Sequence, residues 1–478
     1  GPVSQSSGRT HPWRWSSTRS TSSVAWRSRP SGAVPRAVFE VAGAWNRVVR
    51  RVHPLPTGRY RAGGILVPAT TPDAWTEPTH GAPLGEVAAV TDAYLVGAGQ
   101  SDYGAFPDES YRSLFRAAFE DALDSVPDGL DATRIDEAVV GTLGVGGRQL
   151  GLPGPAVTEH VGLHGVPVTR VENACAASGY AVRQAVQAVK SGMADVVLAG
   201  GVEVMTDASG DAVRYWLGVS GETEWERMAG TTFAGVYAHM ADAHMGEHGT
   251  TREQLSSVAV KNHRNGADNP DAHLQFETSL EDAMAATTVA EPLNLFDCCP
   301  TSDGASVALL ASREVAEELT DDPVRVTGSG QASSRVGLFQ RPSMTSIPAT
   351  EAAAEQAYEE ADIGPEDVEF AEVHDCFSIA ELVACEDLGF CEPGEGGPYV
   401  ESGATEPDGE RPVNLSGGLK SKGHPIGATG TGQVAEVYKQ LRGEAGDRQV
   451  DGLGRGLTHN VGGSGGAVAV HVFEEGWA

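Results

Sequence analysis

Residues 168–199 run VTRVENACAASGYAVRQAVQAVKSGMADVVLA: a short strand-like segment, an amphipathic one and an unbroken apolar one in succession. Residues 168–171 follow Pro167 and read as a strand. Ala181, Val182, Ala185, Val186 and Val189 share one helical face, predicting a helix over 178–191 that Gly192 stops. Residues 195–199 lack polar alternation, as expected of a central strand in a parallel sheet covered by helices on both faces. Strand, helix and strand in this order point to an α/β fold.

The same alternation extends both ways. Toward the N-terminus, 86–97 (EVAAVTDAYLVG) and 135–143 read as strands. Between them Tyr111, Leu114, Phe115, Ala118, Phe119 and Ala122 repeat at helical spacing. From about 206 to 293 the texture becomes polar and His- and Met-bearing, as expected of an insertion laid over the sheet. After an apolar run over 303–311 the pattern restarts, with strands at 324–327, 368–373 and 413–415. Helices are expected near 351–360, over 379–388 and on Val434, Val437, Tyr438 and Leu441. Residues 462–473 (GGSGGAVAVHVF) echo 303–311 as a Gly-led apolar strand. The expectation is a duplicated α/β fold, with halves over 86–322 and 323–478.

Composition narrows the partners. The 478 residues carry 34 Lys+Arg against 65 Asp+Glu, a net charge of −31, which disfavours nucleic acid and anionic membranes as main partners. No apolar run approaches the ~20 residues that cross a bilayer. Residues 1–75 differ in kind, with 11 Arg, no Lys and only Glu40 and Asp73 as acids. They are expected not to pack as a domain and to be either a transit-type leader or non-native upstream sequence. The acidic remainder has five Lys, the balance of a protein adapted to concentrated salt. Six irregularly placed Cys, with Cys298 and Cys299 adjacent, suit a reducing cytoplasm rather than a disulfide framework.

Three stretches carry chemistry. In ENACAASG (172–179) Cys175 stands between a strand and the first turn of a helix, where backbone N–H groups and the helix dipole lower a thiol pKa. The plainer alternative is a small buried hydrophobe. In EVHDCF (372–377), at a strand's C-terminal end, His374 and Cys376 are two apart and point the same way while extended. Taken singly, His374 reads as a hydrogen-bonded core histidine and Cys376 as a filler. In NLSGGLKSKGHPIGATGTG (414–432) His424 sits in a loop whose glycines suit close approach to a ligand or N–H groups aimed at an oxyanion. Neither a P-loop nor a dinucleotide fingerprint is present. Cys376, Cys385, Cys391 and His374 fit no common zinc spacing, so no metal is expected.

Taken together, NACAASG, GGVEVMT (200–206), HMG (244–246), SDGA (302–305), HDCF, GHPIGATG and HNVGG resemble the thiolases. Within them the pattern is similar to the branch of sterol-carrier-protein-linked thiolases and archaeal acetyl-CoA acetyltransferases, over about 93–473. The resemblance implies a duplicated five-layered αβαβα fold with an inserted loop domain, and a cytoplasmic enzyme of lipid metabolism acting on acyl-CoA. It implies no cofactor beyond CoA thioesters, a homodimer or tetramer, and, as for thiolase-like chains of archaea, a small OB-fold, zinc-ribbon partner. By the same resemblance Cys175 is the nucleophile, His424 its base, Cys376 the acid/base at the substrate α-carbon and His374 a donor to the thioester oxygen. The Cys175 N–H and a glycine of the Gly462–Gly463 turn would form a second oxyanion site, with Asn460 lining the oxyanion and substrate region and Met245 the acyl pocket. The commoner thiolases carry a C-x-G turn where this chain reads Thr458-His459-Asn460-Val461-Gly462, so the proton role falls to Cys376. Lys420, Lys422 and Arg264 are candidates for the CoA phosphates. The alternatives are a ketoacyl synthase, which HDCF argues against, and a non-catalytic acyl-CoA-binding scaffold.

Overall fold

The computed structural model describes residues 91–478. Residues 1–75, and the start of the strand expected over 86–97, lie outside the described residues. Nine strands form one sheet: β1 (Ala93–Gln100), β2 (Glu137–Gly141), β3 (Val168–Val171), β4 (Val196–Glu203), β5 (Gly304–Ser312), β6 (Val324–Ser333), β7 (Phe370–Glu372), β8 (Arg455–Gly462) and β9 (Ala467–Glu475), in the order β3-β2-β4-β5-β1-β6-β9-β8-β7. The principal helices are α1 (Tyr111–Asp124), α2 (Ala177–Lys190), α3 (Phe233–His248), α4 (Arg252–Ala267), α5 (Pro348–Ala361), α6 (Ser378–Asp387) and α7 (Thr429–Leu441).

The sheet holds the same topology twice. The first half runs β3-β2-β4-β5-β1 from its outer edge inward. In the second half Val413 forms a parallel bridge beside Ala371 of β7. Counting Val413 as the third strand position, the order from the outer edge is again third, second, fourth, fifth, first. The halves join where β1 pairs with β6 through Tyr94↔Arg325 and Leu95↔Val324. The joining strands also share Gly-x-Gly: Gly97 and Gly99 of β1 seat against α1, and Gly328 and Gly330 of β6 against Ala353 and Ala357 of α5. A Cβ at any of the four would run into helix backbone.

Alternate residues of each strand feed different layers. Ala93 and Leu95 of β1, Val197 and Ala199 of β4, and Ala308 and Leu310 of β5 face the middle layer. There they meet Val182 and Val186 of α2 and Val434 and Val437 of α7. Tyr94, Val196 and Leu309 face the other way, onto Phe115 and Phe119 of α1. On the far side Val468 and Val470 of β9 pack on Ala353 and Ala357 of α5. Helix, sheet, paired helices, sheet and helix make five layers.

Three expectations are corrected. The sheet is mixed: β4 pairs parallel with β2 but antiparallel with β5. Residues 462–473 are not one strand, because Gly463 and Gly465 adopt φ of 64° and 108° and turn the chain from β8 into β9. Residues 413–415 supply a single bridge rather than a strand. The segment between β4 and β5 occupies the place that the Gly463–Gly466 turn holds in the second half. Its Tyr237, Met240, Leu255 and Val258 pack into the second half's outer cluster.

Candidate active site

Cys175 and His424 occupy equivalent places in the two halves. Cys175 lies between β3 and α2, and His424 between Val413 and α7, so each precedes a helix of the middle layer. The Thr431 N–H donates to Ser178 Oγ at 3.1 Å, tying the two helix starts together. Ala174 takes φ 51°, and its N–H donates to Glu172 Oε1 at 2.7 Å, bending the chain just before the cysteine. One nitrogen of His374, one of His424 and Sγ of Cys175 lie within 4.8 Å of one another. The imidazoles meet edge to face, with centroids 5.1 Å apart.

Their hydrogen bonds place the two rings in opposite tautomers. The Gly179 N–H can only donate, and it meets Asn460 Oδ1 at 3.2 Å, so the amide nitrogen of Asn460 is the atom facing the site. That nitrogen lies 3.0 Å from the Cys175 carbonyl and 3.3 Å from His374 Nδ1. Nδ1 therefore accepts, and the ring proton of His374 sits on Nε2, which is buried without a protein partner. In His424, Nδ1 lies 2.7 Å from Thr429 Oγ1, whose hydroxyl donates to the Pro425 carbonyl at 3.0 Å. Nδ1 must then donate, leaving a lone pair on Nε2. One ring offers an N–H and the other a base. Burial holds His424 neutral by lowering its pKa to about 3. Burial, then the neighbouring His424 and His459, hold His374 well below its ordinary range. Thiolate and imidazole are zinc-ligand types, but the lone pair of His374 sits on Nδ1, which is turned to the Asn460 amide, and the trio is one ligand short.

The thiol does not follow the expectation of a lowered pKa. Burial pushes Cys175 up to about 12, and nearby Cys299 adds to this, while a hydrogen bond from the Gly463 N–H draws it only part of the way back. Desolvation outweighs the helix start here. Deprotonation must accompany attack, so a base within reach is required.

Cys376 is buried and grouped with the second half's apolar cluster. Burial pushes its pKa up. Tyr237 pulls it down through a hydrogen bond, Cys175 raises it, Lys420 lowers it and Asp375 raises it. As alternation requires, Asp375 turns away from His374 and Cys376. Its carboxylate accepts from Asn262 Nδ2 at 2.7 Å and the Leu419 N–H at 2.6 Å. Asn262 also donates to Glu381, which pairs with Lys261 at 3.1 Å. Asn262, Lys261 and Tyr237 come from the insertion and were not identified from the sequence.

An apolar wall touches Cys175 directly: Leu143, Val145, Met205 and Ile426, with Trp216, Leu217 and Val219 at its margin. Glu203 fixes this wall by accepting from the N–H groups of Leu143, Gly144 and Val145 at 3.0, 2.9 and 2.8 Å. Met245 instead packs, half-buried, against the cluster that holds Cys376 and Phe377. Gly462 packs against the Asn173 carbonyl and Gly463 against the Ser220 carbonyl, with no room for a side chain.

The lysine expectation fails. Lys420 is 0% exposed and donates to the Asp297 carbonyl at 2.6 Å. Lys422 is 2% exposed and is spent on the Gly432 carbonyl and Glu372. Neither reaches a phosphate in solvent. Arg264, paired with Glu406, keeps 45% of its side chain exposed.

The chain is similar to known proteins across both halves. The family described as Thiolase, N-terminal domain matches residues 88–314, and that described as Thiolase C-terminal domain-like matches 330–475. Acetyl-CoA acetyltransferase of Methanothermobacter thermautotrophicus is 46% identical over 384 residues, 80% of this chain and 99% of the relative. Human sterol carrier protein 2 is 34% identical over 415 residues, 82% of this chain and 73% of the relative. A solved Ltp2-ChsH2(DUF35) aldolase superposes with TM-score 0.69 at 26% identity, over 80% of this chain and 97% of that one. The chain belongs to the thiolase family.

Proposed function

We propose that the protein is an acetyl-CoA C-acetyltransferase that joins two acetyl-CoA into acetoacetyl-CoA and free CoA, or runs the reverse thiolysis, through an acyl-cysteine. The observation that carries this is the meeting of one thiol and two oppositely tautomerised imidazoles beside an apolar wall. The archaeal relative supports the substrate.

In the first half-reaction Cys175 sulfur attacks the thioester carbonyl. Its proton passes to His424 Nε2 and on to the departing CoA sulfur, as the S–acyl bond forms and the acyl–CoA bond breaks. The N–H groups at His374 Nε2 and at the Gly463 turn suit an oxyanion, each such donor contributing ~100- to 1,000-fold in rate. In the second, Cys376 as thiolate takes a proton from the α-carbon of another acetyl-CoA. The carbanion attacks the acyl group, the bond to Cys175 breaks, and the proton moves from Cys376 to the freed Cys175 sulfur.

The likeness to an aldolase with a DUF35 component supports a small partner protein, and we place the enzyme in the cytoplasm as a homodimer or tetramer. Among the described residues no helix is long and apolar enough to cross a membrane. Acetoacetyl-CoA thiolysis, set beside condensation of a malonyl-carrier thioester, tests the reading. Activity in the first alone fits it, and activity in the second alone favours a ketoacyl synthase.

A further inference from the structure

The proposed cycle needs Cys376 to hold negative charge in a place where burial opposes it. Cys175 and the Asp375 carboxylate behind the strand are near enough to disfavour a thiolate, Lys420 favours one, and the Cys299 N–H donates to the Cys376 carbonyl at 3.0 Å. The ammonium of Lys420 is already tied to the Asp297 carbonyl.

Tyr237 reaches the same sulfur from α3. It is 0% exposed, its ring stacks on Phe377 with centroids 4.7 Å apart and planes 25° apart, and its hydroxyl lies 3.1 Å from the Gly463 carbonyl. Phe377 follows Cys376 directly, and Tyr237, Cys376 and Phe377 share one buried cluster, which brings the phenol to the thiol's surroundings. A phenol has one proton to donate and lone pairs to accept with. While it donates to Gly463 it can accept from a Cys376 S–H, but it cannot donate to both at once.

We propose that Tyr237 is the positioning residue for the proton-carrying thiol: its hydroxyl donates to Gly463 while Cys376 is protonated and turns to donate to the sulfur when Cys376 is a thiolate. This rests on the thiolase reading above and names the group that lets a buried sulfur carry charge. The Gly463 turn does not depend on the phenol alone. The N–H groups of Gly465 and Gly466 donate to the Gly462 carbonyl at 3.2 and 3.1 Å, and Arg341 donates to Ser464 at 3.1 Å.

The test is Tyr237→Phe, followed by two readouts. The first is the pH midpoint of Cys376 alkylation by iodoacetamide, resolved peptide by peptide by mass spectrometry with Cys391 as internal control. The expected result is a rise of about one unit or more, a tenfold loss of thiolate at a given pH, at Cys376 alone. The second is uptake of deuterium into the acetyl methyl of acetyl-CoA, expected to fall about tenfold with the thiolate population while single-turnover acetylation of Cys175 changes little. An unmoved midpoint, or equal losses of exchange and acetylation, overturns the proposal. Fluorotyrosine at 237, a stronger donor, is expected to lower the midpoint and carries the test if the phenylalanine variant does not fold; no shift there also overturns it. Failure of the wild-type protein to acetylate Cys175 would instead sink the thiolase reading, leaving the alkylation midpoint to judge Tyr237.

Discussion

The side-chain amide of Asn460 faces His374 Nδ1 at 3.3 Å, held in that orientation by the Gly179 N–H on its oxygen. This contact sets which nitrogen of His374 carries the proton. A carboxylate at 460 can only accept, so Asn460→Asp draws the ring proton to Nδ1 and removes the donor at Nε2. Turnover is expected to fall ~100- to 1,000-fold, the effect of losing one oxyanion donor. Iodoacetamide labelling of Cys175 should persist. Unimpaired turnover would contradict the tautomer assignment.

Acid stability should follow the buried imidazoles. Burial lowers His424 and His459 to about 3 and His471 to about 4, whereas an unfolded chain takes these protons near pH 6.5. Between those values the unfolded chain binds more protons, so their contribution is complete above pH 6.5 and is lost as pH falls toward 3. Glu203 and Asp387, raised by burial to about 7, act oppositely and lose their contribution as pH rises toward 7. Comparing His459→Gln with wild type cancels the shared terms. The variant's unfolding free energy in urea is expected to depend less steeply on pH, by up to ~1.4 kcal/mol per unit between pH 6 and 4.

The wall beside Cys175 should limit acyl length. Met205 is buried there, with its N–H held by Asp303. Met205→Ala opens space and is expected to shift kcat/KM toward longer acyl-CoAs by roughly 10-fold or more, the scale of a methylene or two in an apolar pocket. An unchanged chain-length profile would show that the wall does not meet the acyl group.

The pair Lys261–Glu381 lies beneath the HDCF segment with both side chains out of solvent. Lys261→Met leaves the Glu381 carboxylate without its counter-charge, and a loss of about 3–5 kcal/mol in unfolding free energy is expected. Denaturant titration checks this. A loss below about 1 kcal/mol would match a surface pair and contradict the burial.

Much of this was legible because periodicity is a local property. The helix carrying Val182 and Val186 and the strand over 196–203 announce themselves in their own residues, and Cys175, His374 and His424 stand out by chemistry at element ends. What was not legible depends on partners distant in the chain. Strand β8 mixes Thr458, His459 and Asn460 and hides its pattern, because those side chains face other buried groups rather than solvent. Tyr237 and Asn262 look like ordinary helix residues until α3 and α4 are laid on the second half. Lys420 and Lys422 look like surface charges until Asp297 and Glu372 close around them. The Gly-x-Gly shared by β1 and β6 was in plain view, but two glycines mean little without the helices they admit.

The central claim is that Cys175 carries the acyl group. Mass spectrometry of the intact protein and its peptides after incubation with acetyl-CoA tests it most directly. One acetyl group on the peptide containing Cys175, absent in Cys175→Ala and discharged by added CoA, is the predicted result. An unmodified Cys175 in protein that turns acetoacetyl-CoA over would contradict it.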